Sequence, residues 1–201
     1  DKLFIVNCFK KIHTFVMKYN FKLKPYKHQL SALEKSCYQE YFAYFMDMGT
    51  GKSKVLIDNI SILYDENKID SAFIIAPKGV YRNWEKKEIP THLPEHIQYH
   101  LVVWSPSQST KQVKNLKSLL EPNPKLKIFL MNVEAFSTKR GMAFAQKFLL
   151  ANKSLLAVDE STTIKSRTAS RTKNLIKLAA HTPYRRILTG SPVTKSPLDL
   201  F

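Results

Sequence analysis

A short run of residues, Met46-Asp-Met-Gly-Thr-Gly-Lys-Ser53, has the composition of a phosphate-binding loop. It lies between an apolar run, Tyr41-Phe-Ala-Tyr-Phe45, and a stretch with helical spacing. Backbone N–H groups of a glycine-rich turn, together with a helix N-terminus, can surround phosphate oxygens. Lys52 would reach the outer phosphates, and the Ser53 hydroxyl would hold Mg²⁺. The pattern G-x-x-x-x-G-K-[ST] is met only in its last three residues, because Met46 replaces the first glycine.

A second candidate site follows another apolar run, Leu155-Leu-Ala-Val158, which ends in two carboxylates. Asp159 suits Mg²⁺, which prefers oxygen ligands, and Glu160 suits the activation of a water molecule. Alternatively, the two carboxylates cap the N-terminus of a helix. Together with the glycine-rich loop, the pair predicts a nucleoside triphosphatase with Lys52, Asp159 and Glu160 as its catalytic residues.

The net charge predicts a polyanionic partner. The chain carries 32 Lys and Arg against 16 Asp and Glu, which gives +16 and a pI near 9.8. Between Glu160 and Asp199 every charged residue is basic: Lys165, Arg167, Arg171, Lys173, Lys177, Arg185, Arg186 and Lys195. Aromatic and hydroxyl residues are interleaved with these charges, which favours contact with nucleic acid. The alternative is a basic face that is merely solvated.

Alternating apolar runs and helical spacings predict an α/β fold with a mainly parallel sheet that helices cover on both faces. The predicted strands are Tyr41–Met46, Ala72–Ala76, Gln98–Val103, Lys127–Met131, Leu155–Val158 and Arg186–Thr189. The predicted helices are Lys52–Tyr64, Tyr81–Glu88, Thr110–Leu120, Met142–Ala151 and Ser170–Ala180, with another over residues 27–38. In such sheets ligands bind beyond the carboxyl ends of the strands, where the polar motifs of this chain lie.

Residues 2–19 have amphipathic helical spacing and are expected to pack on their own domain, although a basic amphipathic helix can also lie on a membrane. No apolar run approaches the roughly 20 residues that span a bilayer, and no signal peptide is recognised. Cys8 and Cys37 are interpreted as reduced core thiols. We therefore expect an intracellular protein with no membrane partner.

In order along the chain, these motifs resemble those of the first RecA-like lobe of superfamily 2 helicases, above all the Swi/Snf-type DNA translocases and their phage relatives. The resemblance runs from about Phe21 to Phe201. The matching segments are Phe21–Gln29 (Q motif), Asp47–Ser53 (motif I), Ile74–Lys78 with Asn83-Trp84 (motif Ia), Leu130–Phe136 (motif Ib), Val158–Thr162 with Ile164-Lys165 (motif II), and Leu188–Pro192 with Leu198–Phe201 (motif III).

The resemblance implies a RecA-like three-layer sandwich over residues 21–201, preceded by a helical extension over residues 1–20. It implies ATP and Mg²⁺ as cofactors, with Ser53 and Asp159 as metal ligands. Gln29 would read the adenine, and Lys24 and Tyr26 would flank it. The remaining nucleotide-binding residues would be those of the loop itself: Asp47, Met48, Gly49, Thr50, Gly51, Lys52 and Ser53.

The resemblance also implies contacts with the sugar-phosphate backbone of double-stranded DNA. Lys78, Arg82, Asn132 and Lys139 are candidate DNA contacts, and Thr189 and Ser191 are candidate relays between the nucleotide and DNA sites. Trp84 is interpreted as a packing residue. Motif II departs from the family pattern, because Thr162 stands where the family usually has histidine, which puts coupling through that position in doubt.

The chain ends just after the motif III segment, so a second RecA-like lobe with its arginine fingers is expected as a partner from the same motor. This chain alone is then expected to act as a monomer and to hydrolyse ATP weakly or not at all. The setting would be the cytoplasm, a host cytoplasm for a phage protein, or the nucleus of a eukaryote.

Three readings of function remain open at this point. The first is an ATP-dependent double-stranded DNA translocase or helicase that acts in remodelling, branch migration or repair. The second is the motor of a restriction system or a strand-separating helicase. The third is a nucleotide-regulated DNA-binding module without turnover.

Overall fold

The structure is a computed structural model that describes residues 12, 14–107, 109–160 and 170–190 of the 201-residue chain. Six strands form one sheet in the order β1-β6-β5-β2-β4-β3. Their bounds are β1 Tyr41–Phe45, β2 Ser71–Ala76, β3 Tyr99–Val103, β4 Leu126–Asn132, β5 Ser154–Asp159 and β6 Tyr184–Thr189. All five neighbouring pairs are parallel, so the carboxyl ends of all six strands lie along one edge of the sheet.

In the described part of the chain after residue 26, six α-helical segments accompany the sheet. They are α1 Lys27–Ser36, α2 Lys52–Asp65, α3 over residues 81–92, α4 Thr110–Ser118, α5 Lys139–Ala151 and α6 Ser170–Ala179. The segment α3 has three parts: a short α-helical start Tyr81–Asn83, a π-helical turn Trp84–Glu88 and an α-helical end Ile89–His92. A short 3₁₀ helix, Val133–Ser137, precedes α5.

The sheet is covered on both faces, as the sequence predicts. One buried cluster joins Leu33 of α1, Leu56 of α2 and Ile89 of α3 to alternate residues of the strands. A second cluster joins Phe148 of α5 and Leu178 of α6 to the other face. Strands β2 and β5 are buried at every position, which explains why they read as continuous apolar runs. The predicted elements are confirmed, with helix ends that differ by a few residues.

The segment before α1 packs against this core over its described part. Residues 14–18 are helical, and Val16 is fully buried in the first cluster. The hydroxyl of Tyr19 donates to Asp65 Oδ2 at 2.6 Å, and Lys22 Nζ donates to the carbonyl of Pro90 at 3.0 Å. Residues 1–11 and 13 of the predicted extension, including Cys8, lie outside the described residues, whereas Cys37 is a buried free thiol. No helix in the described ranges has the length and apolarity that a membrane crossing requires.

Arg186 of β6 is buried inside the first face of the sheet rather than exposed on a basic surface. Its guanidinium donates to Asn59 Oδ1 at 2.9 Å and to the carbonyls of Ser36 at 2.9 Å and Arg185 at 2.8 Å. Burial lowers the pKa of Arg186, while the nearby Tyr44 acts in the opposite direction. The prediction that Arg186 belongs to a solvent-facing basic cluster is therefore wrong, because carbonyl and amide oxygens satisfy its donors in the core.

The rest of that predicted basic cluster is divided. Arg185 lies with its guanidinium 4.6 Å from the centre of the Tyr41 ring, and Lys173 and Lys177 are exposed on α6. Lys165, Arg167 and Lys195 lie outside the described residues, as does the side chain of Arg171. The described members do not form one basic face.

Candidate nucleotide site and basic groove

The glycine-rich loop, residues 46–51, connects the end of β1 to the start of α2. Gly49 and Gly51 have φ values of 78° and 87°, which favour glycine because a side chain is strained in this region. A Cβ atom at Gly51 would also collide with the amide nitrogen of Gln29, whose side chain would have to shift. The loop thus reaches the N-terminus of a helix of 14 residues, where backbone N–H groups and the helix dipole favour an anion.

Lys52 lies across this loop. Its ammonium group donates to the carbonyls of Met46 at 2.9 Å and Asp47 at 3.1 Å, and the residue is 9% exposed. Gly190, at the end of β6, faces the loop so closely that a Cβ atom there would lie 3.6 Å from Lys52 Nζ and 3.3 Å from Met48 Cγ. An ammonium has three donors, so the two carbonyl bonds leave one for a phosphate. Ser53 follows in the first turn of α2 and is half-buried.

Gln29 holds the loop from the side of α1. Its Nε2 donates to the carbonyl of Thr50 at 3.0 Å, and its Oε1 accepts from the backbone N–H of Tyr26 at 2.9 Å. His28 Nε2 lies 3.0 Å from the same carbonyl. Because a carbonyl only accepts, this contact requires the tautomer with a proton on Nε2. The sequence analysis does not predict a role for His28. Its position next to Gln29, in the first turn of α1, is the only feature of the sequence that could have indicated one.

The two predicted flanking residues lie on the exposed chain before α1. Tyr26 is 71% exposed, and its ring stacks on that of His28 with the centres 6.0 Å apart. Lys24 is also exposed. Within the loop, Asp47, Met48 and Gly49 are exposed, and the Thr50 hydroxyl donates to the Asp47 carbonyl at 2.7 Å.

Asp159 and Glu160 lie at the end of β5, one strand away from the end of β6. Both oxygens of the Asp159 carboxylate accept a hydrogen bond: Oδ2 from the indole N–H of Trp84 at 2.8 Å, and Oδ1 from the backbone N–H of Glu160 at 3.0 Å. Burial raises the pKa of Asp159, and the charge of Glu160 adds to this rise. The Trp84 bond and the charge of Lys52 act in the opposite direction. Glu160 has a φ of 49°, so the chain turns sharply as it leaves the strand.

The donor set of this edge fits Mg²⁺. The Ser53 hydroxyl and the Asp159 carboxylate are hard oxygen ligands, and the two hydrogen bonds to Asp159 leave lone pairs on both oxygens. Thr189 of β6 lies between the loop and Asp159; it is buried, and its carbonyl accepts from the Met46 N–H at 3.3 Å. Ser191 and Thr162 lie outside the described residues.

A basic groove, defined here by the residues that line two adjoining hollows of about 490 and 380 Å³, occupies the other half of the same edge. It lies at the ends of β2, β4 and β3, and Trp104, Pro106 and Asn132 line both hollows. All four predicted DNA contacts line it: Lys78, Arg82, Asn132 and Lys139. Sequence reasoning missed its other basic residues, Lys86 and Arg140.

Comparisons with known proteins agree with this geometry. A sequence model of the SNF2-related domain matches residues 44–201. The chromatin remodeling factor mit1 of Schizosaccharomyces pombe is 25% identical over 156 residues, which cover 77% of this chain and 10% of that protein. The chain therefore spans a small part of the length of this relative.

Two solved structures share the fold. The SWI2/SNF2 ATPase core of Sulfolobus solfataricus, solved in complex with double-stranded DNA, matches 90% of this chain and 35% of its own, with 21% identity and a TM-score of 0.67. The UvsW helicase of bacteriophage T4 matches 95% of this chain and 63% of its own, with 13% identity and a TM-score of 0.66. The predicted RecA-like α/β fold is confirmed.

Proposed function

This chain belongs to the SNF2-related domain family, and we propose that it is the ATP-binding lobe of an ATP-dependent translocase on double-stranded DNA. One observation carries the proposal. The carboxyl edge of the sheet has one half that is suited to bind phosphates, at β1, β6 and β5, and one basic half, at β2, β4 and β3. The Sulfolobus solfataricus ATPase core, which has this fold, was solved on double-stranded DNA. The proposal places the parent protein where DNA is, in a cytoplasm or a nucleus.

In this proposal the glycine-rich loop and Lys52 bind the phosphates of ATP. Ser53 and Asp159 hold Mg²⁺, which when bound neutralises charge on the outer phosphates. Glu160 lies next to Asp159 at the end of β5 and accepts the proton of the attacking water. Gln29 already contacts the loop carbonyl of Thr50, so its role toward adenine would come in addition to holding the loop.

Tyr26 and Lys24 are proposed to flank the base, because they lie on the exposed segment that leads into Gln29. Thr189 is proposed to relay between the two halves of the edge, since it lies on β6 beside the loop. We also propose that the ATP-binding lobe begins after residue 20 and that the motor requires a second lobe.

The basic groove is proposed to follow the phosphate backbone of the duplex. It brings five basic residues together against Glu85 and Glu134: Lys78, Arg82, Lys86, Lys139 and Arg140. Contacts of this type position a protein on DNA and carry little sequence information. Binding is therefore expected to be indifferent to sequence and steeply dependent on salt.

The proposal is tested by measuring duplex affinity against salt concentration for two double variants. Arg82→Gln with Lys139→Gln removes two charges from the groove, and the slope of log affinity against log salt should become shallower by roughly 0.9 for each phosphate that is no longer neutralised. Lys68→Gln with Lys125→Gln removes the same charge from exposed sites near the other edge of the sheet and should leave the slope unchanged. Equal slopes for both variants would exclude the groove as the DNA site.

A second measurement addresses the reaction itself. Hydrolysis of ATP by the full-length protein is compared with double-stranded DNA, single-stranded DNA or RNA present. Stimulation by the duplex alone supports a double-strand translocase, stimulation by single strands favours a strand-separating helicase, and no hydrolysis under any condition favours a binding module without turnover.

A further inference from the structure

Trp84 connects the two halves of the carboxyl edge. Its side chain is fully buried, and its indole N–H donates to Asp159 Oδ2 at 2.8 Å across 75 residues of sequence. The other oxygen of the carboxylate accepts from the backbone of Glu160. The orientation of this carboxylate is thus fixed by one donor from its own strand and one donor from α3.

Trp84 is the first residue of the π-helical turn of α3. This turn ends at Glu88 and lies between two short α-helical parts. A π turn shifts the angular positions of the residues that follow it, and such turns occur frequently at functional sites. In α3, Arg82, Glu85 and Lys86 line the basic groove while Trp84 points into the core toward Asp159. One short helical segment therefore contacts both the groove and the carboxylate.

We propose that Trp84 is the positioning residue of Asp159 and that it links the basic groove to the metal-binding carboxylate. This inference rests on the proposed function, since it takes Asp159 as a ligand of Mg²⁺ and the groove as the DNA site. The indole N–H is a neutral donor. It fixes the carboxylate without cancelling the charge that attracts the metal, and it leaves further lone pairs available on the carboxylate oxygens. A movement of α3 when DNA enters the groove displaces this donor directly.

The first test measures metal binding rather than turnover. Mn²⁺ serves as the probe, with affinity measured by electron paramagnetic resonance in the presence of a non-hydrolysable ATP analogue. Trp84→Phe keeps an aromatic ring in the core and removes the N–H. We expect Mn²⁺ affinity to fall by about 10- to 100-fold, the range for loss of a partner that orients a metal ligand. The affinity of the metal-free analogue should not change.

Two controls separate this effect from a general loss of packing. Phe148→Leu truncates a fully buried aromatic residue in the second cluster and should leave Mn²⁺ affinity unchanged. Substitution of Trp84 by 3-benzothienylalanine retains the shape of indole and lacks only the N–H, so it decides the question if Trp84→Phe does not fold. Wild-type Mn²⁺ affinity in the benzothienyl variant would overturn the inference.

The second test observes the hydrogen bond itself. In a ¹⁵N–¹H spectrum, the indole signal of Trp84, assigned by its loss in Trp84→Phe, should shift when Asp159 is replaced by Ala and again when duplex DNA is added. Duplex DNA should also change Mn²⁺ affinity in the wild type and not in Trp84→Phe. An indole signal unmoved by DNA, or the same DNA effect on Mn²⁺ in both proteins, would refute the link.

The failure of this inference can be distinguished from failure of the proposed function. If Lys52→Ala binds the analogue as well as the wild type does, the nucleotide site itself is wrongly assigned. If Lys52→Ala loses binding while both Trp84 variants bind Mn²⁺ normally, only the role of Trp84 is wrong.

Discussion

Two buried aspartates in the described part of the chain have opposite surroundings. Asp58 lies inside α2, where one oxygen contacts Lys54 Nζ at 2.7 Å, while Oδ1 is buried without a hydrogen-bond partner. Asp159 lies at the end of a strand, and both of its oxygens accept from neutral N–H groups. Burial raises the pKa of both carboxyls, to about 7 for Asp58. A raised pKa therefore does not distinguish the candidate ligand from the structural residue.

Their positions and partners do distinguish them. The neighbours of Asp159 come from three places, the end of β5, α3 and the first turn of α2, and they meet where parallel strands end. The partner of Asp58 is its own helix neighbour four residues earlier, so the pair is local. A buried carboxylate whose partner lies in its own helix affects the stability of the fold. A carboxylate whose partners come from several elements is kept in the fixed orientation that a functional site requires.

The largest effect is expected when the carboxylates at the end of β5 are changed. Glu160→Gln in the full-length protein should lower ATP hydrolysis by roughly 10²–10⁴, the range for loss of a general base, because the amide cannot take up a proton. Asp58→Asn should leave the rate nearly unchanged. The comparison is made by steady-state hydrolysis at saturating ATP and DNA. Turnover within a few-fold of wild type in Glu160→Gln would place the base elsewhere.

A smaller effect separates the two neighbouring lysines of α2. Lys52→Ala should weaken ATP binding at least tenfold by calorimetry, because charge-assisted bonds to phosphate contribute roughly 1.5–3 kcal/mol. The fold should be retained in this variant.

Lys54→Met should instead lower the stability of the fold without weakening ATP binding. It leaves Asp58 buried without its cation, which should lower the free energy of unfolding by roughly 3 kcal/mol at neutral to basic pH. ATP affinity should be unchanged, since the side chain of Lys54 is buried and bonded to Asp58. Exchanged phenotypes, with Lys54→Met losing ATP and Lys52→Ala losing stability, would contradict the assignment of both residues.

The last prediction concerns the pH dependence of stability. Burial raises the pKa of Asp58 from 3.8 to about 7, against the opposing effect of Lys54. The folded state then holds this proton more tightly than the unfolded state. Its contribution to the free energy of unfolding is complete below pH 3.8 and is lost as the pH rises toward 7.

Urea unfolding of wild type and Asp58→Asn across this interval checks the effect. The wild-type stability minus that of the variant should decrease with pH up to about 7 and stay constant above it. Asp159 is present in both proteins, so its titration cancels in the difference. A difference that increases with pH would mean that the Lys54 contact, rather than burial, controls the pKa of Asp58.

The sequence predicts the sheet, and it predicts that the glycine-rich loop follows a strand and precedes a helix. Buried parallel strands leave unbroken apolar runs, and a loop that requires glycine, such as the one around Gly51, leaves a fixed local pattern. Of the four DNA candidates, Lys78 ends a motif and Asn132 directly follows a predicted strand. All four line one groove.

The remaining features depend on contacts between distant residues. A π turn leaves no characteristic periodicity, so Trp84 reads as an ordinary packing residue although it holds Asp159. The bond from Gln29 to Thr50 joins two segments whose separate patterns do not predict it. Arg186 reads as a surface charge because its acceptors lie far away along the chain.

The buried network of Arg186 has a consequence for how the chain folds. Its contacts with Asn59 and Ser36 close loops of 127 and 150 residues. Because closing such long loops costs conformational entropy, we expect these contacts to form late in folding. A guanidinium is desolvated at little net cost only when all its acceptors are present, and a slip of one residue between β1 and β6 would turn it to the wrong face. We therefore expect β6 to join β1 last, in a single cooperative step. The glycine-rich loop, which follows β1, would then come next to Gly190 only when folding is complete.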